Sequence, residues 1–386
     1  MAIAIYFFVI FLNLIFAFRN KQSKIVVILS LLAIIMFIGG AGPEYSFSNY
    51  SIDYLNYQIK YERVESIGIT DNPQMGFTLL MKLGNLLNLD FFKFRLIVIT
   101  VCLILLYKLV IKRYSYNSNF IILMYMLYPM IIDSEQLRNF IAMTIFLISI
   151  RFLEKKSFVN NVKFLIMILL ATSFHTAFFL YVFLVFAHTK DRNRLAKVIA
   201  ILTVVLTTIT ILNNNQMPFV GLLLNIVEDD KVSGYLTSRT NLGFLIPIVL
   251  HCSSIILVYW AKKILDRKNL TNQDNSKKNL ELLDCSLSKK VKLANLVFWL
   301  NIIGITYFPL FIMNIHFYRL VRNFLILNFI IYSFASQSLR KGTLYRFIFN
   351  LSIVGILMLW LVMDLMITTS AERVLIPFFT ENYFFN

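Results

Sequence analysis

Residues 2–41 read AIAIYFFVIFLNLIFAFRNKQSKIVVILSLLAIIMFIGGA: an uncharged run, a short basic link through Arg19, Lys21 and Lys24, and a second uncharged run. Each run approaches the roughly 20 residues that a helix needs to cross a bilayer core. Helix is expected because a segment in lipid must satisfy its own backbone hydrogen bonds. A secretory leader would end at a small-residue cleavage site. Here Phe18 leads through the basic link into another apolar run, so the first run is expected to stay in the membrane.

The same alternation continues along the chain. Further apolar runs lie at 94–111, 119–132, 139–153, 158–172, 174–188, 195–212, 242–261, 291–313, 317–337 and 345–367. With the first two they make twelve candidate spans in a single transmembrane domain over 1–386. Composition agrees, since 59% of the 386 residues are hydrophobic and 15% charged, where a soluble domain carries about 25% charged. The expected fold class is an all-α polytopic integral membrane protein. Cys102, Cys252 and Cys285 have no pairing or metal spacing, so neither a disulfide framework nor a metal site is expected.

Alternating the sides of the spans gathers six links on one side: 19–24, 108–113, 151–163, 188–197, 262–292 and 340–346. These hold 26 of the 37 Lys and Arg and six of the 20 Asp and Glu, a net +20 against −3 for the remainder. The basic side is expected to be cytoplasmic, leaving both termini and 42–92 outside. The net charge of +17 is thereby a topology signal and not a nucleic-acid footprint. Because both flanks of 158–188 are basic, the chain should cross there an even number of times, turning near Ser173-Phe174-His175-Thr176.

The external segment 42–92 is acidic and aromatic, with Glu44, Tyr45, Tyr50, Asp53, Tyr54, Tyr57, Tyr61, Glu62 and Glu65. Rings that stack on sugar faces beside carboxylates that bond hydroxyls suit carbohydrate; an interfacial tyrosine belt fits the composition equally. Within it, 75–89 reads as an amphipathic interfacial helix, with Leu79, Leu80, Leu83, Leu86 and Leu87 on one face. A second external loop spans 213–241. The stretch 262–292, rich in Asn, Lys, Asp and Ser, reads as a flexible cytoplasmic loop.

An ionisable side chain at membrane depth is costly and marks a candidate site. Glu135 and Arg138 sit where Pro129 breaks one span and Arg138 opens the next; a simple helix-start ion pair is the structural alternative. His175 lies in the outward turn and could exchange a proton or hold a hydroxyl. His316, Arg319 and Arg322 recur every third residue and so share a helical face, a spacing suited to gripping a diphosphate. Arg239 in the second external loop is a weaker phosphate contact. No phosphate-cradling glycine loop, nucleophile elbow or His-Glu-x-x-His motif occurs.

Several short motifs occur in order: Asp53-Tyr54-Leu55-Asn56-Tyr57, Pro73-Gln74-Met75-Gly76-Phe77, Leu137-Arg138-Asn139-Phe140, Ser173-Phe174-His175-Thr176-Ala177, Phe317-Tyr318-Arg319-Leu320 and Pro377-Phe378-Phe379. This series resembles the EpsG family of Wzy-type bacterial polysaccharide polymerases. Asn139 stands where that family commonly has Gln. The resemblance implies a GT-C-like architecture of about twelve helices in the bacterial cytoplasmic membrane, with the active site facing outside. It further implies transfer of a growing undecaprenyl-diphosphate-linked glycan onto a lipid-linked repeat unit, without cofactor. The implied partners are that lipid-linked oligosaccharide, membrane lipid, and the flippase and chain-length regulator of the pathway. In that chemistry Arg319 and Arg322, with His316, Tyr318 and Arg239, would hold substrate. Arg138 would assist them, and His175, Glu135 or Asp53 would handle the proton, while Tyr54 and Tyr57 would hold sugar. A lipid-linked oligosaccharide flippase and a single-sugar transferase using polyprenyl phosphate are the alternatives.

Overall fold

The short links between apolar runs make antiparallel helical neighbours, and the computed structural model is built that way. It describes residues 1–19, 22–41, 52–68, 74–115, 117–189, 191–216, 242–275, 281–368 and 371–385. Among these no strand occurs beyond an isolated bridge between Ala41 and Asn382. Six helices are long and apolar enough to cross a membrane: Ala2–Arg19, Phe91–Tyr114, Arg192–Leu212, Leu242–Thr271, Leu287–Met313 and Leu344–Thr368. Shorter apolar helices are Lys24–Gly40, Ser118–Leu127, Phe158–Phe174, Thr176–His188 and Leu325–Ser338.

The chain divides into two compact units, Met1–Val185 with Asp364–Asn386, and Phe186–Met363, where composition had suggested one domain. The first unit contains α1 (Ala2–Arg19), α2 (Lys24–Gly40), α3 (Ile52–Glu62), α4 (Met75–Leu86), α5 (Phe91–Leu106) and α6 (Lys112–Tyr114). It continues with α7 (Ser118–Leu127), α8 (Met130–Asp133), α9 (Leu137–Ser149) and α10 (Phe158–Phe174). Polar side chains join helices where no hydrophobic gain distinguishes protein from lipid. Asn13 Nδ2 donates to Ser30 Oγ at 2.6 Å, and Asn119 Nδ2 to Asn13 Oδ1 at 3.0 Å.

Contacts within this unit gather its helix ends into two sets. On the basic side, Asn117 Nδ2 donates to Ala17 O at 3.0 Å, and Arg113 and Tyr114 meet Glu154 Oε1 at 3.3 and 2.5 Å. At the opposite ends, buried Arg95 of α5 donates to the carbonyls of Gly39 (3.1 Å), Ala41 and Ser134 (2.6 Å). A cation at these helix ends satisfies acceptors that have no intrahelical donor.

The C-terminal segment completes the cap. After α18 (Ala371–Thr380), Asn382 Nδ2 donates to Met36 O and Phe37 O at 3.2 and 3.1 Å, and Tyr383 N to Gly40 O at 3.0 Å. Phe378 stacks on Phe37 at 5.4 Å. A Cβ on Gly40 would collide with Asn382 and with Phe384 at 2.6 Å, which explains glycine there. Asn382→Ala strands buried carbonyls, so it is expected to lower stability by about 1–3 kcal/mol. Thermal unfolding in detergent checks this, and an unchanged midpoint would contradict it.

The second unit runs through α11 (Arg192–Leu212), α12 (Leu245–Asn275), α13 (Glu281–Ile303), α14 (Phe308–Met313), α15 (Arg319–Arg322), α16 (Leu325–Ser338) and α17 (Leu344–Met363). His251 Nε2 pairs with Asn301 O at 3.0 Å, and Asn301 Nδ2 donates to Asn328 Oδ1 at 2.8 Å, in the buried core. The expected flexible loop at 262–292 is corrected here, since α12 continues to Asn275 and α13 resumes at Glu281. Its polar composition hid buried Ile264, Leu265 and Leu287, and Lys262 pairs with Asp266 at 2.9 Å one turn on.

Candidate functional site

Helix α3 carries Asp53 in its first turn and Tyr57 one turn later on the same face. Tyr57 is buried, with 6% of its surface exposed, beneath Arg138. The guanidinium lies 5.1 Å from the Tyr57 ring centre, and Nε donates to Tyr57 Oη at 3.3 Å. The Nη1 group of Arg138 donates to Gln74 Oε1. Tyr54 lies 5.2 Å from Arg95 and edge-on to Phe91 at 5.1 Å. Both tyrosines are therefore arginine-stacking residues as much as ring surfaces for a sugar.

Helix α4 ends at Leu86, three residues before the expected limit of 89. Leu79, Leu83, Leu86 and Leu87 are exposed, while Phe77, Thr78, Met81 and Gly84 are buried, so the helix is amphipathic. Its first turn touches the next candidate. A Cβ on Gly76 would meet Ser173 Oγ, with Ser173 Cβ and O both at 3.1 Å. Two residues beyond, His175 caps α10 in an extended conformation, its N–H bonded to Ala171 O at 3.0 Å. The α-helix thus breaks at His175, and 176–188 continues as a 3₁₀ helix. At about 2.0 Å per residue that geometry reaches roughly 26 Å, further than an α-helix of equal length.

The His175 ring is half-buried and its Nδ1 accepts from Ala177 N at 3.3 Å. Glu135 is half-buried and lies within electrostatic reach of Arg95. Nearby, buried Asp133 accepts from Tyr125 Oη at 3.1 Å. Buried Asp364 accepts from Tyr128 Oη at 2.5 Å and from Thr368 at 2.8 Å. Gln74 lies inside the Pro73–Phe77 motif but had no expected role there, and Arg95 and Asp364 carried no motif. Arg95 and Asp364 could have been found as ionisable residues inside apolar runs.

In the second unit the arginine pair takes a different local form from the single helix expected at 317–337. Asn314 Oδ1 accepts from His316 N at 2.9 Å and opens a 3₁₀ turn, Ile315–Tyr318, before α15; α16 restarts at Leu325. The three-residue spacing from His316 to Arg319 is about one turn of backbone in either helical form. Arg322 is 1% exposed, with Nη1 3.3 Å from Tyr318 Oη and its guanidinium 5.7 Å from that ring. Tyr318 in turn stacks on Trp360 at 5.8 Å. Arg319 is half-buried, and its Nε is buried with no hydrogen-bond partner among the described residues. A guanidinium donor left so at a membrane protein's interior is costly unless an acceptor arrives. Arg239 and most of the loop 213–241 lie outside the described residues, as do Glu44, Tyr45 and Tyr50.

The sequence matches the EpsG family over residues 44–341, most of the chain and all of the arginine and histidine candidates. The chain belongs to the EpsG family. EpsG proteins are Wzy-type polysaccharide polymerase-like membrane proteins, and the apolar helices make this member an integral membrane protein. No curated protein and no solved structure matches the sequence. Among the described residues no group of three or more His, Cys, Asp or Glu could hold a metal ion. Asp364 and Asn382 lie beyond the matched residues.

Proposed function

We propose that this EpsG-family protein is a glycosyltransferase that polymerises surface polysaccharide at the outer face of the bacterial cytoplasmic membrane. It crosses that membrane twelve times in a GT-C-like arrangement. It moves a growing glycan from undecaprenyl diphosphate onto the non-reducing end of a lipid-linked repeat unit. The observation that carries this reading is Arg319, whose buried Nε awaits an acceptor beside the Tyr318-backed Arg322.

The bond that breaks joins the anomeric carbon to the diphosphate, and the departing oxygen gains negative charge as it leaves. Fixed arginine donors shielded from water stabilise that charge more in the transition state than in the bound substrate. Arg319 and Arg322 supply those donors, with His316 and Tyr318 holding them. The acceptor hydroxyl forms the new bond and releases its proton to a carboxylate, Glu135 or Asp53, or to the departing diphosphate. Arg138 and His175 orient the glycan and its phosphates. Since Nδ1 of His175 accepts from Ala177 N, the neutral ring carries its proton on Nε2. We therefore assign His175 as a hydrogen-bond donor ahead of the base role its position first suggests.

Deleting the gene and resolving the surface glycan on a gel tests this reading. A single repeat unit on the lipid acceptor, with the ladder restored by the wild-type gene, is expected. Loss of all surface glycan would point to flipping, and an unchanged ladder would refute the assignment.

A further inference from the structure

The residue at the start of α4 does not suit the helix it begins. Gln74 occupies the N-cap, where Asn, Asp, Ser and Thr are favoured because their short side chains reach the first free N–H groups. Its side chain makes no capping bond. The backbone carbonyl does the helical work, accepting from Phe77 N and Thr78 N at 3.0 and 3.2 Å. The side chain, 5% exposed, instead presents Oε1 to Arg138 Nη1.

With the Tyr57 ring 5.1 Å from the guanidinium and Tyr57 Oη 3.3 Å from Nε, Gln74 fixes the plane of Arg138 at a second point. Two residues on, Gly76 sits so close to Ser173 that a Cβ would not fit. One rigid helical turn thereby links Arg138 to the turn that ends in His175. On its far side the same helix exposes Leu79, Leu83 and Leu86.

We propose that Gln74 is a positioning residue that orients Arg138, and that the first turn of α4 registers Arg138 against the His175 turn. The inference rests on the polymerase reading above. A neutral amide oxygen accepts from the guanidinium without adding a charge of its own. Helix stability alone would favour serine at this position.

That conflict supplies the test. Gln74→Ser should improve the helix cap while removing the hold on Arg138; Gln74→Met keeps side-chain volume close to that of Gln and removes the amide with its acceptor oxygen. Each variant, purified in detergent, is assayed for thermal midpoint. Its polymerisation rate is measured with lipid-linked repeat unit extracted from the deletion strain. The serine variant is expected to keep or raise the midpoint while its rate falls about tenfold, since small misplacements of a binding group cost that much or more. The methionine variant should lose rate likewise. Rates within about twofold of wild type in both variants would overturn the inference alone. A midpoint that falls in step with the rate in both would also overturn it, making Gln74 a stability residue. A wild-type protein that makes no polymer would remove the polymerase reading, and this inference with it.

Discussion

Arg319→Lys is expected to abolish nearly all polymer while leaving the protein inserted and at normal level. Lysine keeps the positive charge but replaces a planar fork of donors with a single ammonium group. The position matters because Arg319 follows a 3₁₀ turn opened by Asn314, which aims it from the first residue of a four-residue helix. Its Nε is buried without a partner among the described residues, whereas Arg322 is braced by Tyr318 and, through it, Trp360. Removing one preorganised donor to a developing oxyanion typically costs about 100- to 1000-fold in rate. Arg319→Ala should lose at least as much. Polymer length on a gel, at matched protein level, measures both variants. A near-normal ladder from Arg319→Ala would show that this guanidinium does not serve the leaving group.

The helical fold was legible because lipid leaves a chain so few ways to satisfy its backbone. Runs such as 2–18 and 94–111 announce helices without help from tertiary contacts, and the basic links sort their ends. What misled was composition read without period. The polar stretch at 262–292 contains Leu265 and Leu287 at buried positions of two long helices, and a loop was expected only because charged residues outnumber them locally. The arginine pair was legible from its spacing of three, a period that survives whether the backbone is α or 3₁₀. The roles of Gln74, present only as part of the Pro73–Phe77 motif, and of Arg95 were not legible. Gln74 matters through Arg138, 64 residues away, and Arg95 through carbonyls on α2 and after α8. Such roles depend on which helix ends the fold brings together, and no local pattern encodes that.

His175 separates two mechanisms by a pair of substitutions. Its ring closes a small local loop in which Ala177 N donates to Nδ1 at 3.3 Å, two residues after α10 packs Ser173 against Gly76. A neutral histidine held that way offers Nε2–H as a donor and has its accepting nitrogen occupied. His175→Ala removes the donor and the contact to Ala177, and should reduce polymerisation about 100-fold, as for other fixed donors to a charged or sugar oxygen. His175→Gln restores an N–H donor at similar reach but cannot take up a proton near neutral pH. If His175 donates, the glutamine variant should recover most of the activity that alanine loses, within about tenfold of wild type. If it accepts the hydroxyl proton, glutamine should be as inactive as alanine, because general-base assistance is worth roughly 100- to 10,000-fold. Equal inactivity of the two variants, with both proteins folded in detergent, would return the base role to His175. Recovery by glutamine leaves the proton to Glu135, Asp53 or the departing diphosphate, and Glu135→Gln then becomes the variant in which the loss should appear.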